Sequence, residues 1–290
     1  MEKRQLGKTD ISLPVLGFGA MELRHMEEPD AIYLLGSVLD AGISFIDTSP
    51  DYNRSEEFIG KAISHRREEF ILATKCGCDL WSGKGGHIFT REQFVKNLDN
   101  SLKLLRTDYI DLLQIHAAMP HELDGPLDDA IIFLQELKKA GKIGAFGISF
   151  RNGNEKEALY PAGFCKQCFE GFAHYDCFDS MQSVYGALTR DCEEDIAAMA
   201  AKGTGIIARG LLNRYTPAHK EKLETANLQE LCASGETINS LLIRFVISNE
   251  NVTSGITGSS SAAHMRENFA AAQRGTLPDD IYAEMKKRLA

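Results

Sequence analysis

The chain has 290 residues, 43% of them hydrophobic, and a formal net charge of -9. That length leaves one large α/β domain or two smaller ones open, the apolar share suffices for a sizeable core, and the acidic balance argues against a nucleic-acid or basic membrane-binding surface. No apolar stretch approaches the roughly 18 residues that span a bilayer, Met1 to Gln5 lacks the apolar core of a signal peptide, and seven scattered cysteines read as reduced thiols, so the expectation is a cytoplasmic protein with small-molecule partners.

Arg4 to Leu13, with turn residues between two strand-like pieces, predicts a β-hairpin. Val15 to Gly19 is the first buried strand, Pro29 to Ala41 a helix closed by Gly42, and Ile43 to Ile46 the next strand. The alternation continues with helix Ser55 to His65, strand Phe70 to Thr74, helix Arg91 to Arg106 and strand Tyr109 to Ile115. Thr90 and Gln93 make a capping box for the third helix, and Phe94, Leu98, Leu102 and Leu105 share one face of it. Helix Leu127 to Ala140 ends at Gly141 and leads to strand Ile143 to Ile148. Strand Asp179 to Val184, helix Asp191 to Ala201, strand Gly205 to Ala208, helix Thr237 to Ser248, strand Val252 to Ile256 and helix Ala262 to Ala272 complete the count.

Eight strands alternating with crossover helices, the fifth helix falling to the region between Ile148 and Asp179, predict an α/β fold, a closed (β/α)₈ TIM barrel forming one domain over 1–290. The excess length goes to the N-terminal hairpin, a polar helical insertion near Pro217 to Ala233, and a C-terminal helix Asp279 to Leu289. A doubly wound open sheet is the alternative, but Gly17-Phe18-Gly19-Ala20-Met21-Glu22 lacks the third glycine of its phosphate fingerprint.

Loops after the carboxyl ends of barrel strands are where chemistry is built. Three such ends deliver Asp47 with Tyr52, Lys75, and His116. A phenol is a poor proton donor or acceptor near neutrality unless its phenolate is stabilised; a lysine ammonium does that, and an aspartate holds the lysine charged and in place. His116 could orient the same substrate oxygen. Singly, each residue reads more readily as a cap, a solvated rim lysine or a structural histidine; the conjunction is what points to acid/base chemistry.

At these residues the chain resembles the aldo-keto reductases. The matching segments are Gly17 to Met21, Phe45 to Ser49 with Tyr52 and Gly60, Ala73 to Lys75, Ser101 to Asp111 running to His116, Gly147 to Ser149, Gln182 with Tyr185, Gly210 to Leu212, and Gly258 to Ser260 running to Asn268. The resemblance implies reduction of a small-molecule carbonyl by hydride transfer from NADPH, or NADH, with Tyr52 as general acid, Lys75 and Asp47 tuning it and His116 orienting the carbonyl. It also implies a cofactor lying along Gly19, Ala20, Met21 and Asp47. Ser149 and Gln182 would bind its carboxamide, Gly258, Ser259 and Ser260 a phosphate, and Glu267 and Asn268 the adenine; Arg209 is a candidate for the pyrophosphate, and Arg266 or Arg209 for the cation that a 2′-phosphate needs. Phosphate at Gly258 to Ser261 also follows from the helix N-terminus there.

Two departures stand out. Phe150 follows Ser149 where the family commonly has Asn, with Asn152 or Asn154 as substitutes, and neither Gly258 nor His264 is a firm cation for a 2′-phosphate. Separately, Cys165, Cys168, His174 and Cys177 form a C-x2-C-x5-H-x2-C run that reads either as a packed loop with a thiol cluster or as zinc ligands. The competing functional readings are a cofactor-binding regulatory subunit on the same barrel and a zinc-dependent lyase or hydrolase. Oligomeric state and substrate have no readable code.

Overall fold

The computed structural model describes residues 1–83, 85–118, 127–151, 164–212 and 217–290. An antiparallel hairpin of β1 (Lys3–Gln5) and β2 (Ser12–Pro14) precedes the main sheet. Eight parallel strands then close into a barrel: β3 (Leu16–Gly19), β4 (Phe45–Asp47), β5 (Ile71–Cys76), β6 (Ile110–Ala118), β7 (Ile143–Phe150), β8 (Ser180–Val184), β9 (Gly205–Arg209) and β10 (Ser254–Thr257). They are ordered as in the sequence, and β10 pairs with both β9 and β3. Helices α1 (Glu28–Asp40), α2 (Ser55–Ile63), α3 (Arg91–Leu105), α4 (Leu127–Lys139), α5 (Phe164–Phe172), α6 (Glu193–Ala201), α8 (Ile238–Ile247) and α9 (Ala262–Gln273) connect or follow the strands. Between α6 and α8 lies the extra α7 (Pro217–Thr225), and α10 (Asp279–Arg288) ends the chain. None of the described helices is long and apolar enough to cross a membrane.

Strand periodicity explains how the barrel is filled. Side chains two apart share a face, and the inward positions Phe45, Ala73, Leu112, Ala145, Ile207 and Ile256 form one buried apolar cluster with Leu6 and Leu13 of the hairpin segment. The hairpin therefore plugs the amino end of the barrel. One step of two residues further along, the same inward rows become polar: Asp47 after Phe45, Lys75 after Ala73, Gln114 after Leu112. The larger cluster packs helices on the outside of the sheet.

Local chemistry fixes the ends. Thr90 Oγ1 accepts from Gln93 N at 3.3 Å and starts α3. The Gln93 side chain, however, donates to Cys78 O instead of returning to the cap, so only half of the expected capping box forms. Arg4 ties down the end of α8 and the turn that follows it, donating from Nη2 to Ile247 O at 2.8 Å and from Nη1 to Asn249 O at 3.1 Å and to Val252 O at 2.7 Å.

The cysteine run differs from the packed loop expected of it. Cys165, Cys168, Phe169 and Phe172 fall at i, i+3, i+4 and i+7 and are the buried face of α5, a helical period obscured in the sequence by the attention that cysteine spacing draws. All seven cysteines are free thiols.

Candidate active site

The polar layer sits at the carboxyl ends of β4 to β8, where the inward rows run out of apolar residues. Lys75 is 1% exposed, and its Nζ donates to Asp47 Oδ1 and to Thr48 O, both at 2.7 Å. The other Asp47 oxygen accepts from Gln114 Nε2 at 3.0 Å and from Gln182 Nε2 at 2.9 Å. Ser149 Oγ donates in turn to Gln182 Oε1 at 2.8 Å. Asp47 is thus the hub that ties β4, β5, β6 and β8 across the mouth.

Tyr52 follows β4 on a short polar loop, half-buried, with Lys75 Nζ 5.4 Å from its ring centroid. The His116 ring meets Tyr52 edge-on, centroids 6.0 Å apart at 80°. The four residues expected to act together therefore share one corner of the barrel mouth. Lys75 acts on Tyr52 in the expected direction, but it does not set the net shift. Burial pushes the Tyr52 phenol above its ordinary range, and Lys75 only partly offsets this, so the phenol is protonated across the physiological range. For Lys75 burial pulls down, but Asp47, Tyr52 and Asp51 outweigh it and hold the ammonium charged. His116 lies below the ordinary imidazole range because burial outweighs the pull of Asp51; it is a neutral ring.

His116 ends inside β6 rather than after it. A bulge at Ala117, with φ 49°, lets the strand run on to Ala118 while His116 still pairs in register with Ser149. Around its Nδ1 gather four atoms that no spacing in the chain foretold: Ser49 Oγ at 3.2 Å, and Asp51 Oδ2, Cys78 Sγ and His87 Nε2 each at 3.3 Å. Cys78 and His87 reach it from the loop after β5, where they face each other across an isolated antiparallel bridge. Burial lowers His87 to about 4 and raises Cys78 to about 12. For Asp51 burial pushes up, but His116, Ser49 and Lys75 prevail and hold the carboxyl below its ordinary range. Gln114 was also missed, although its position two before His116 on one strand face could have found it.

The residues expected to hold a cofactor divide into two groups. Gly19, Ala20 and Met21 end β3 and open a 3₁₀ turn beside Asp47, which pairs with Gly19. Gly258 follows β10, and a Cβ there would lie 2.7 Å from Gly19 O, so bare backbone lines this side of the mouth. Ser259 and Ser260 lead to α9, whose cap is Ser261 Oγ accepting from His264 N. Backbone amides at the start of this helix, beside a surface that admits no side chain, fit a phosphate-bearing group. Arg266 and Glu267 are exposed on α9, whereas Asn268 is buried and donates to Thr257 Oγ1 at 3.3 Å. Arg209 ends β9, and its Nη2 donates to Phe150 O. Phe150 itself turns into the protein, 4.9 Å from Phe169 and 5.4 Å from Phe172 between ring centroids, and offers no polar group in place of an asparagine. Asn152 and Asn154 lie outside the described residues. Trp81, in the loop after β5, is 52% exposed.

Cys165, Cys168, His174 and Cys177 do not gather as ligands; Cys165 instead lies with Cys192 and Asp191. Burial and the Cys192 thiol divide the pair, Cys165 falling to about 7 chiefly through the hydrogen bond from Cys192.

A model of the "Aldo/keto reductase family" matches residues 15–290. The chain is 30% identical over 295 residues to an L-galactose dehydrogenase of Arabidopsis thaliana, covering 93% of this chain and 88% of that protein. It is 27% identical to an NADH-specific methylglyoxal reductase of Escherichia coli K12, covering 93% of each. Among solved structures, an aldo-keto reductase from Bacillus halodurans in its holo form superposes with a TM-score of 0.83 at 28% identity, covering 99% of this chain and 96% of that one.

Proposed function

Because this chain belongs to the aldo/keto reductase family, we propose that it reduces an aldehyde or ketone with a nicotinamide cofactor, Tyr52 giving the proton to the carbonyl oxygen. One observation carries this reading: the Lys75 ammonium, buried and held by Asp47, stands against the Tyr52 ring in the only corner of the mouth that also holds His116 among the described residues. When bound, the cofactor supplies the hydride.

The chain's own residues do the rest. Tyr52 is a protonated phenol and therefore a donor for reduction. As the proton leaves, negative charge develops on the phenol oxygen, and the fixed ammonium stabilises it without reorganising. Asp47, restrained by Gln114 and Gln182, keeps the ammonium charged and aimed. Neutral His116 donates one N–H to the carbonyl and orients it. Ser149 and Gln182 are assigned to the carboxamide, Gly258 to Ser260 and Arg209 to the phosphates, and Arg266, Glu267 and Asn268 of α9 to the adenosine end. Arg266 supplies a cation for a 2′-phosphate, which supports NADPH over NADH. In the reverse direction the same phenol, as phenolate, takes the proton of an alcohol.

The test is consumption of NADPH, and separately of NADH, with small aldehydes, ketones and sugars, Tyr52→Phe run alongside. Turnover lost in the variant with cofactor affinity kept supports the assignment. Tight cofactor binding without turnover on any of them would instead favour a regulatory, cofactor-sensing subunit.

A further inference from the structure

We propose that Asp51, Cys78, His87 and His116 form a binding site for a borderline-soft divalent cation of the zinc class. Their ligand atoms all lie within 4.8 Å of one another. His116 Nδ1 stands 3.3 Å from Asp51 Oδ2, from Cys78 Sγ and from His87 Nε2, and His87 Nε2 stands 3.9 Å from Asp51 Oδ2. A tetrahedral zinc, with nitrogen or oxygen at about 2.0–2.1 Å and sulfur at about 2.3 Å, sets neighbouring ligand atoms about 3.3–3.6 Å apart. The three separations from His116 match such a shell's edges, the His87–Asp51 edge is wider at 3.9 Å, and those from Cys78 to Asp51 and to His87 lie within 4.8 Å, so a bound ion would draw the four atoms slightly inward.

Hydrogen bonding alone accounts poorly for this crowd. A ring nitrogen carries either one proton or one lone pair, directed in the ring plane. Four polar atoms, Ser49 Oγ included, nevertheless converge on His116 Nδ1. One cation at their centre takes a lone pair from each of the four ligands, leaving Ser49 Oγ to hold Asp51 Oδ1 at 2.6 Å. A thiolate, two imidazoles and a carboxylate select zinc or cobalt over magnesium or calcium, which prefer oxygen throughout. The ligands are also held from outside. Cys78 O accepts from Gln93 and Asn97 of α3, and Gly77 N donates to Asn97 Oδ1 at 2.8 Å. Such supports are what fix first ligands in metal sites. On binding, the Cys78 thiol proton passes to solvent and four coordinate bonds form, with no change of oxidation state.

Binding is read without turnover, so its outcome is separate from that of the reductase reading. The full-length chain, freed of metal by a chelator, is dialysed against zinc chloride and titrated with cobalt(II). The expected result is one ion per chain, with the visible bands of tetrahedral cobalt and a thiolate-to-cobalt charge-transfer band. Cys78→Ser should abolish the charge-transfer band, and His87→Ala should weaken zinc binding about tenfold or more. Cys192→Ser, in the separate Cys165 group, should change neither. X-ray absorption on the zinc-loaded wild-type chain, which depends on no variant, should give one sulfur at about 2.3 Å and nitrogen or oxygen at about 2.0–2.1 Å. The proposal is overturned by failure to bind a stoichiometric ion, by a shell without sulfur, or by a charge-transfer band that follows Cys192 rather than Cys78.

Discussion

Replacing Lys75 by Met removes a buried ammonium while keeping much of its stem volume, and the structure sets the size of the effect. A unit charge 5.4 Å from the Tyr52 ring centroid stabilises a phenolate by about 3 kcal/mol at an effective dielectric near 20. That corresponds to about two pKa units. Alcohol oxidation needs the phenolate as base, so its alkaline limb should move up by about two units, and the rate at a fixed pH below that limb should fall about a hundredfold. Reduction starts from a phenol that is already protonated. It should lose less, about tenfold if half the charge has developed in the transition state. Steady-state rates in both directions across pH, with cofactor affinity measured in parallel, separate these effects. Thermal unfolding must accompany them, because Asp47 keeps Gln114 and Gln182 but loses its cation, and breaking a buried pair costs about 3–5 kcal/mol. A folded Lys75→Met protein whose oxidation limb superimposes on the wild type would refute the reasoning.

Tyr52→Phe should lower reduction by at least about a hundredfold with cofactor affinity nearly unchanged, since only the proton donor is lost; unaltered turnover rules out Tyr52 as the acid. Glu56 is raised to about 7, burial outweighing the hydrogen bond that Thr74 Oγ1 donates at 2.6 Å. Its folded state holds the proton more tightly than the unfolded one, so stability falls as pH rises from about 4.5 to about 7 and the full cost, about 3 kcal/mol, is present above that window. Glu56→Gln should therefore be the more stable protein in urea at pH 8 and match the wild type near pH 4, and equal midpoints at pH 8 would contradict the burial argument. At Gly60 an added Cβ would lie 2.0 Å from Leu104 O. Gly60→Ala should accordingly cost about 1–3 kcal/mol by forcing α2 from α3, which a denaturation midpoint at the wild-type value would disprove.

The barrel was legible because its strands are short apolar runs separated by amphipathic helices of the right length, and that alternation survives errors of one or two residues at each end. Asp47 and Lys75 stood out for a related reason, each being the first strong polar residue where an apolar strand runs out, and His116 because it closes the longer run that begins at Tyr109. What stayed hidden depends on closure in three dimensions. Cys78 and His87 belong to an irregular loop, and nothing in their spacing says that both will meet His116 and Asp51. The elevation of Tyr52 could not be read either, because the nearby ammonium is visible in the sequence while the burial that outweighs it is not. In α5, cysteine spacing suggested a ligand run, whereas the phenylalanines interleaved with it carried the helical period.

The pairing of β10 with β3 has a consequence for how the protein is made. Ser254 Oγ donates to Pro14 O at 2.7 Å, a bond between residues 240 apart in sequence. At about 5–20 residues per second a ribosome needs roughly ten to fifty seconds to synthesise that span. Throughout that interval the first barrel strand, already outside, has one edge without its neighbour and is a template for mispairing. The last seam of the ring is therefore the step at which a nascent chain most needs shielding, and shortening the wait, by faster codons between the two strands, should alter the yield of native protein without altering a single residue.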